Sequence, residues 1–170
     1  SSVLDISFNS INVLFNFQNL DYTARNILLA DNSELDIRKK FENTQYMENM
    51  LTHVLFMNKI LTRATIISEH GDIYTYGYYL TDDYISDVVE QSKTLGNGSK
   101  IIYTKPNYYI LNGKKYKLMT IMRNITIYDN NRIGVLYIDI DYEMLKNHTG
   151  NAGEQLKQQY PDFEQGWSYI

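Results

Sequence analysis

The sequence predicts an α+β domain: an antiparallel sheet of five or six strands with helices against one face, preceded by a long helix. Helical periodicity dominates the first sixty residues and stops near Arg63. From there to Ile140, short β-branched runs alternate with hairpin turns, with one helical segment among them. No regular strand–helix alternation runs through the chain, which argues against a doubly wound parallel sheet.

The first element is the longest. Val3, Ile6, Ser10, Val13, Phe17, Leu20, Ala24 and Ile27 recur at spacings of three and four. Neither Gly nor Pro interrupts them, so one helix is expected over about 3–29, roughly 40 Å long. A second stripe, Leu4, Phe8, Ile11 and Phe15, suits a helix that meets both its own core and a partner. Asp31-Asn32-Ser33 then offers a break. Short helices are expected from Glu34 to about Phe41 and from about Gln45 to Leu61.

Ala64–Ser68 and Ile73–Tyr79 flank the turn His70-Gly71-Asp72 and form a hairpin. Thr81 caps a helix with Asp82 and Asp83 in its first turn; Ile85, Val88, Ser92 and Leu95 form its buried stripe, and Gly96 stops it. Lys100–Thr104 is a short strand that ends before Pro106. Asn107–Leu111 and Lys114–Tyr128 flank Asn112-Gly113, a strong hairpin signal. Arg132–Ile140 is the last strand, and Asp141 opens a short helix, Tyr142–Lys146. Residues 1–147 thus read as one domain and 148–170 as a polar tail.

Composition narrows the function. At 170 residues the chain suits a single core, and 44% hydrophobic with 21% charged residues is the balance of a folded protein. With no cysteine there is no disulfide, thiolate metal site or cysteine nucleophile. A net charge of −4 argues against a nucleic-acid partner. No apolar run approaches the roughly 18 residues of a membrane span, and no signal peptide opens the chain. Of 16 tyrosines, 12 lie between Tyr74 and Tyr142. Their apolar rings and polar tips suit either a half-buried sheet or a ligand pocket.

Catalysis finds little support. There is no nucleophile elbow, zinc-protease pair or Gly-rich phosphate loop, and His53, His70 and His148 are scattered. No metal or cofactor pattern is present. Asp82/Asp83 read as a helix N-terminus, and Asp141 as a cap.

Alternation in the last strand points to a binding face. Ile133, Val135, Tyr137 and Asp139 share one side; Gly134, Leu136, Ile138 and Ile140 share the other. The first set ends in Tyr and Asp, as where a sheet faces a pocket. Arg123, with Met119, Ile121 and Ile125 on its strand face, needs a partner, and Asp139 is the candidate. Such a pair braces the sheet, or reads a ligand: Arg a carboxylate, Asp an amine or hydroxyls.

The long helix, the segment Ile66–Tyr79, Met122-Arg123-Asn124-Ile125 and the run Ile133-Gly134-Val135-Leu136-Tyr137-Ile138-Asp139-Ile140-Asp141-Tyr142-Glu143-Met144-Leu145 resemble the extracellular Cache (PDC) sensor domains of bacterial receptors. The variant looks like that of the YesM-type sensor histidine kinases. The resemblance covers about residues 3–147 and implies a PAS-like sheet with an added N-terminal helix. It implies a domain outside the cell, tethered by flanking transmembrane helices and homodimeric in the full receptor. Such a domain binds a small molecule or a partner protein and signals through its long helix to a cytoplasmic kinase. By resemblance, Tyr76, Tyr78, Tyr103, Lys105 and Tyr108 line the pocket with Arg123, Tyr137 and Asp139. The same input domain serves chemoreceptors and cyclic-di-nucleotide enzymes; a surface module that binds no small molecule is the other alternative.

Overall fold

Hydrophobic alternation and two tight turns build the sheet. The computed structural model describes residues 21–56, 60–77, 81–96, 101–104, 106–128 and 131–148. Among these, the strands are β1 (Leu61–Ser68), β2 (Ile73–Gly77), β3 (Ile101–Tyr103), β4 (Asn107–Leu111), β5 (Lys114–Ile127) and β6 (Asn131–Asp141). Every pairing is antiparallel, in the order β2-β1-β6-β5-β3, with β4 also on β5. Asn112 and Gly113 both take positive φ, 51° and 75°, as the tight β4–β5 hairpin turn requires.

The helices among the described residues are α1 (Tyr22–Leu29), α2 (Ile37–Phe56), α3 (Asp82–Ser92) and α4 (Tyr142–His148). The expected caps form. The Tyr84 amide donates to Thr81 Oγ1 at 3.3 Å, and the Met144 amide donates to Asp141 Oδ1 at 3.1 Å. A 3₁₀ turn, Lys93–Leu95, ends α3 before Gly96.

Three expectations need correction. A single helix over 3–29 does not exist, because Asp21 has extended backbone (ψ 160°) and caps α1, its Oδ1 accepting from the Ala24 amide at 2.8 Å. An Asx cap competes with helix continuation at this position, which stripe spacing alone does not register. Residues 3–20, like the tail 149–170, lie outside the described residues. Next, the two short helices are one: Asn43, Met47, Leu51 and Val54 form a continuous buried stripe, so α2 runs through the predicted break. Finally, helices cover both sheet faces. Ala24, Leu28, Met47, Leu51 and Val54 pack on one face against Ile66, Ile121 and Ile138. On the other, Tyr84, Val88 and Leu95 pack against Leu118, Met122, Val135 and Tyr137.

Two register shifts set which side chains face α3. The β5–β6 pairing passes from Thr126↔Arg132 to Ile125↔Gly134 and skips Ile133, which therefore joins the α1–α2 side instead of following Val135. The β1–β6 pairing passes from Leu61↔Ile140 to Arg63↔Asp139 and skips Thr62. Leu61 thus enters the α1–α2 core while Arg63 turns to the α3 face. Gly77, opposite Arg63, has φ +120°, and a Cβ there would lie 2.2 Å from the Thr62 carbonyl oxygen. Only glycine lets β2 close over this corner.

Candidate functional site

The α3 face carries a buried polar seam. Arg63 on β1 and Asp139 on β6 are cross-strand partners, each with its side chain 0% exposed. Arg63 Nε donates to Asp139 Oδ2 at 2.8 Å, and Thr120 Oγ1 on β5 donates to Oδ1 at 2.6 Å. With that hydroxyl proton committed, the Tyr84 hydroxyl on α3, 2.9 Å away, donates to Thr120. Thr120 is held in place by Thr104: the Thr104 amide donates to the Thr120 carbonyl at 2.8 Å, and the Thr120 amide to Thr104 Oγ1 at 2.9 Å.

Aromatic contacts extend the seam into the helix. The Arg63 guanidinium carbon lies 4.2 Å from the centroid of the Tyr84 ring. Tyr84 meets Tyr109 on β4 edge-on, with centroids 4.9 Å apart, and the Tyr109 hydroxyl donates to Asp87 Oδ2 on α3 at 3.0 Å. The route Arg63–Asp139–Thr120–Tyr84–Tyr109–Asp87 therefore runs from the centre of the sheet into α3.

Burial sets the titration of these groups. Removal from water raises the Asp139 carboxyl to about 6, against the pull of Arg63, which lowers it. Burial, then the Asp87 hydrogen bond, lifts the Tyr109 hydroxyl to about 12. Burial also raises Tyr137, with Ser92 opposing. A cluster of groups shifted by desolvation and a specific charged partner marks a candidate site.

The sequence-derived residues divide across the structure. Tyr137 and Asp139 lie on this face, but in a closed interior: Tyr137 is 2% exposed. The expected Arg123–Asp139 pair does not form. The register sets Asp139 opposite Thr120 and Arg123 opposite Leu136, so Arg123 points to the α1–α2 side. There, partial burial lowers its pKa. Tyr76 is exposed and shares the face of buried Tyr74, away from Asp139. Tyr108, cross-strand from Lys117, is exposed; its neighbour Tyr109 is the one that meets Tyr84. Tyr103 lies on β3 opposite Ile121. Tyr78 and Lys105 lie outside the described residues.

Arg63, Thr120, Tyr84, Tyr109 and Asp87 were not foreseen. Tyr84 alone had a usable signal, since Tyr84, Val88 and Leu95 fit a helical stripe as well as the one based on Ile85.

The hollows differ in kind. Beside Tyr137, under α3, a cavity of about 10 Å³ is lined by Thr65, Ile67, Tyr84 and Val88 among others, room for no more than one water. A wider one of about 630 Å³ opens between the end of α2 and the edge strand β2, lined by Phe56, Tyr76, Glu48 and Met144 among others. It is larger but does not reach the buried charges, and chemistry rather than size favours the α3 face.

The structure is similar to the extracellular domain of vpHK1S-Z8, described as a histidine kinase (16% identity, 85% of this chain and 61% of that one, TM-score 0.49). It is similar to the ligand-binding domain of the Campylobacter jejuni chemoreceptor Tlp3 in complex with L-norvaline (19% identity, 84% and 58%, TM-score 0.47). A third similar structure is the periplasmic domain of Vibrio cholerae LuxQ (15% identity, 89% and 71%, TM-score 0.45). The chain spans about three fifths of the length of the first two. No family model and no curated protein matches the sequence. Among the described residues no helix is long and apolar enough to cross a membrane.

Proposed function

We propose that this chain is the ligand-sensing input domain of a bacterial transmembrane receptor of the sensor histidine kinase type, homodimeric in the full receptor and placed at the outer face of the membrane. The observation that carries the proposal is the seam under α3. A buried ion pair returns little of its desolvation cost as stability, so Arg63 and Asp139 are poor glue. The α3 backbone stands off from the sheet and is bridged by long side chains, whereas α2 packs closely on β1 and β2. Lifting α3 would expose a guanidinium, a carboxylate and three tyrosine rings at once. Those groups suit a small ligand bearing both a carboxylate and an amine.

Ligand binding selects the lifted position of α3 by differential affinity. The signal then leaves through a jointed path rather than a rigid rod, because the backbone is extended at Asp21. That joint is tied to α2: the Tyr46 hydroxyl donates to Asp21 Oδ2 at 2.6 Å.

One observation favours a second reading, a surface module that takes no small molecule: Arg63 and Asp139 are direct cross-strand partners with fully buried side chains, and the cavity under α3 holds no more than one water. Thermal unfolding in the presence of individual L-amino acids separates the two. A ligand of the native state adds about 2.7 kcal/mol at a hundredfold excess over Kd, a rise in Tm of about 5–10 °C for a domain of this size. The sensing proposal expects such a rise with at least one zwitterion; an unchanged Tm throughout the series favours the surface module.

A further inference from the structure

Charge is segregated along this chain in a way the ligand seam does not use. From Gln91 to Tyr128 there are seven basic residues and no acidic one, while the chain as a whole carries −4. The rest of the chain therefore holds −11. The β4–β5 hairpin concentrates this positive stretch. Lys114, Lys115 and Lys117 lie within four residues of β5, next to the Asn112-Gly113 turn. Residues 114–117 of β5 pair with β4, whereas β6 pairs with β5 only from Leu118 onward. This end of the hairpin is thus a two-stranded arm reaching past the sheet.

One face of the arm has an interfacial composition. Tyr108 is opposite Lys117, and Ile110 is opposite Lys115. Tyr108 is 53% exposed and Ile110 68% exposed. The Lys115 and Lys117 ammonium groups lie 4.3 Å and 5.4 Å from the Tyr108 ring centroid, and Lys117 also lies 4.6 Å from that of Tyr142. A neutral ring steadies an ammonium group without cancelling its charge. Among the described residues no carboxylate forms an ion pair with any of the three lysines.

We infer that this arm docks on an anionic lipid surface. Lys115 and Lys117 would meet phosphate headgroups, Lys114 on the opposite strand face would add its charge beside the turn, Tyr108 would sit at headgroup level, and Ile110 would reach the acyl boundary. A purely electrostatic partner, such as an acidic protein face, would not require an exposed isoleucine between the lysines.

Co-sedimentation of the 170-residue chain with vesicles tests this. The probes are equal phosphatidylglycerol and phosphatidylcholine, and phosphatidylcholine alone. Binding is expected on the anionic vesicles only, and it weakens as salt is raised. The K114Q/K115Q/K117Q variant should bind about 100-fold more weakly. R38Q/K39Q/K40Q, which removes the same charge from α2, should bind as the parent does. Y108S/I110S should lose affinity at high and low salt alike. If the triple arm variant loses its native circular dichroism, K115Q alone should still show a loss of about fivefold. Equal binding to both vesicle types, no binding, equal loss in both triple variants, or binding to a soluble acidic polymer but not to vesicles would each overturn the inference.

Discussion

Replacing Arg63 with methionine is expected to destabilise the domain by about 3–5 kcal/mol at neutral pH, measured by chemical denaturation. The substitution removes the Nε donor and strands a fully buried carboxylate whose other bond is to Thr120. It also removes the cation above the Tyr84 ring, loosening α3. Most of the cost belongs to the abandoned charge and little to the lost pair. Exchanging both partners for apolar residues, R63M/D139V, is therefore expected to recover most of the loss. A double variant as unstable as R63M would show instead that the pair itself holds the sheet together.

Acidification should stabilise the domain through Asp139, against the usual direction for a carboxylate. Its native pKa of about 6 lies above the ordinary carboxyl value of 3.8. The folded state therefore binds this proton more readily than the unfolded chain. The contribution is full below pH 3.8 and is lost as pH rises through about 6. Asp21 acts oppositely, because the Tyr46 hydroxyl and then the Ala24 amide lower its pKa. The comparison is therefore made with Asp139→Asn: the stability difference between parent and variant should move in the parent's favour as pH falls from 7 to 4. Infrared spectra should show a buried carboxylic-acid carbonyl band with a midpoint near 6, absent from the variant. Protonation that begins only below pH 4 would contradict this. The penalty of R63M should also shrink on acidification, since a neutral Asp139 needs no counter-charge.

Elements whose signal is local were legible in the sequence. The Asn112-Gly113 turn, the Thr81 and Asp141 caps and the alternation of β6 from Gly134 onward each depend on a few adjacent residues, and each forms as expected; Ile133 departs from it because the register shift there is set by β5. The site was legible only in part, because its membership depends on register between strands distant in sequence. Asp139 and Tyr137 were assigned to the correct strand face. Finding Arg63 as the partner required the bulge at Thr62, which turns one side chain and leaves no mark in composition. Tyr108 and Tyr109 differ by a single residue in parity, enough to put Tyr108 on the outer face and Tyr109 against Tyr84. The break at Asp21 escaped for the opposite reason: a capping side chain overrode a periodic stripe that runs straight through it.

The central claim is that α3 is a separable cover over a charged seam. Native-state hydrogen exchange tests it without a ligand in hand. Amides of Asp82–Leu95 should exchange through an opening that leaves β5 and β6 protected. The rate should be roughly 100-fold faster than global unfolding allows, about 3 kcal/mol below the global value. If those amides exchange only together with β6, at the free energy of global unfolding, α3 is a fixed part of the core and the sensing account fails.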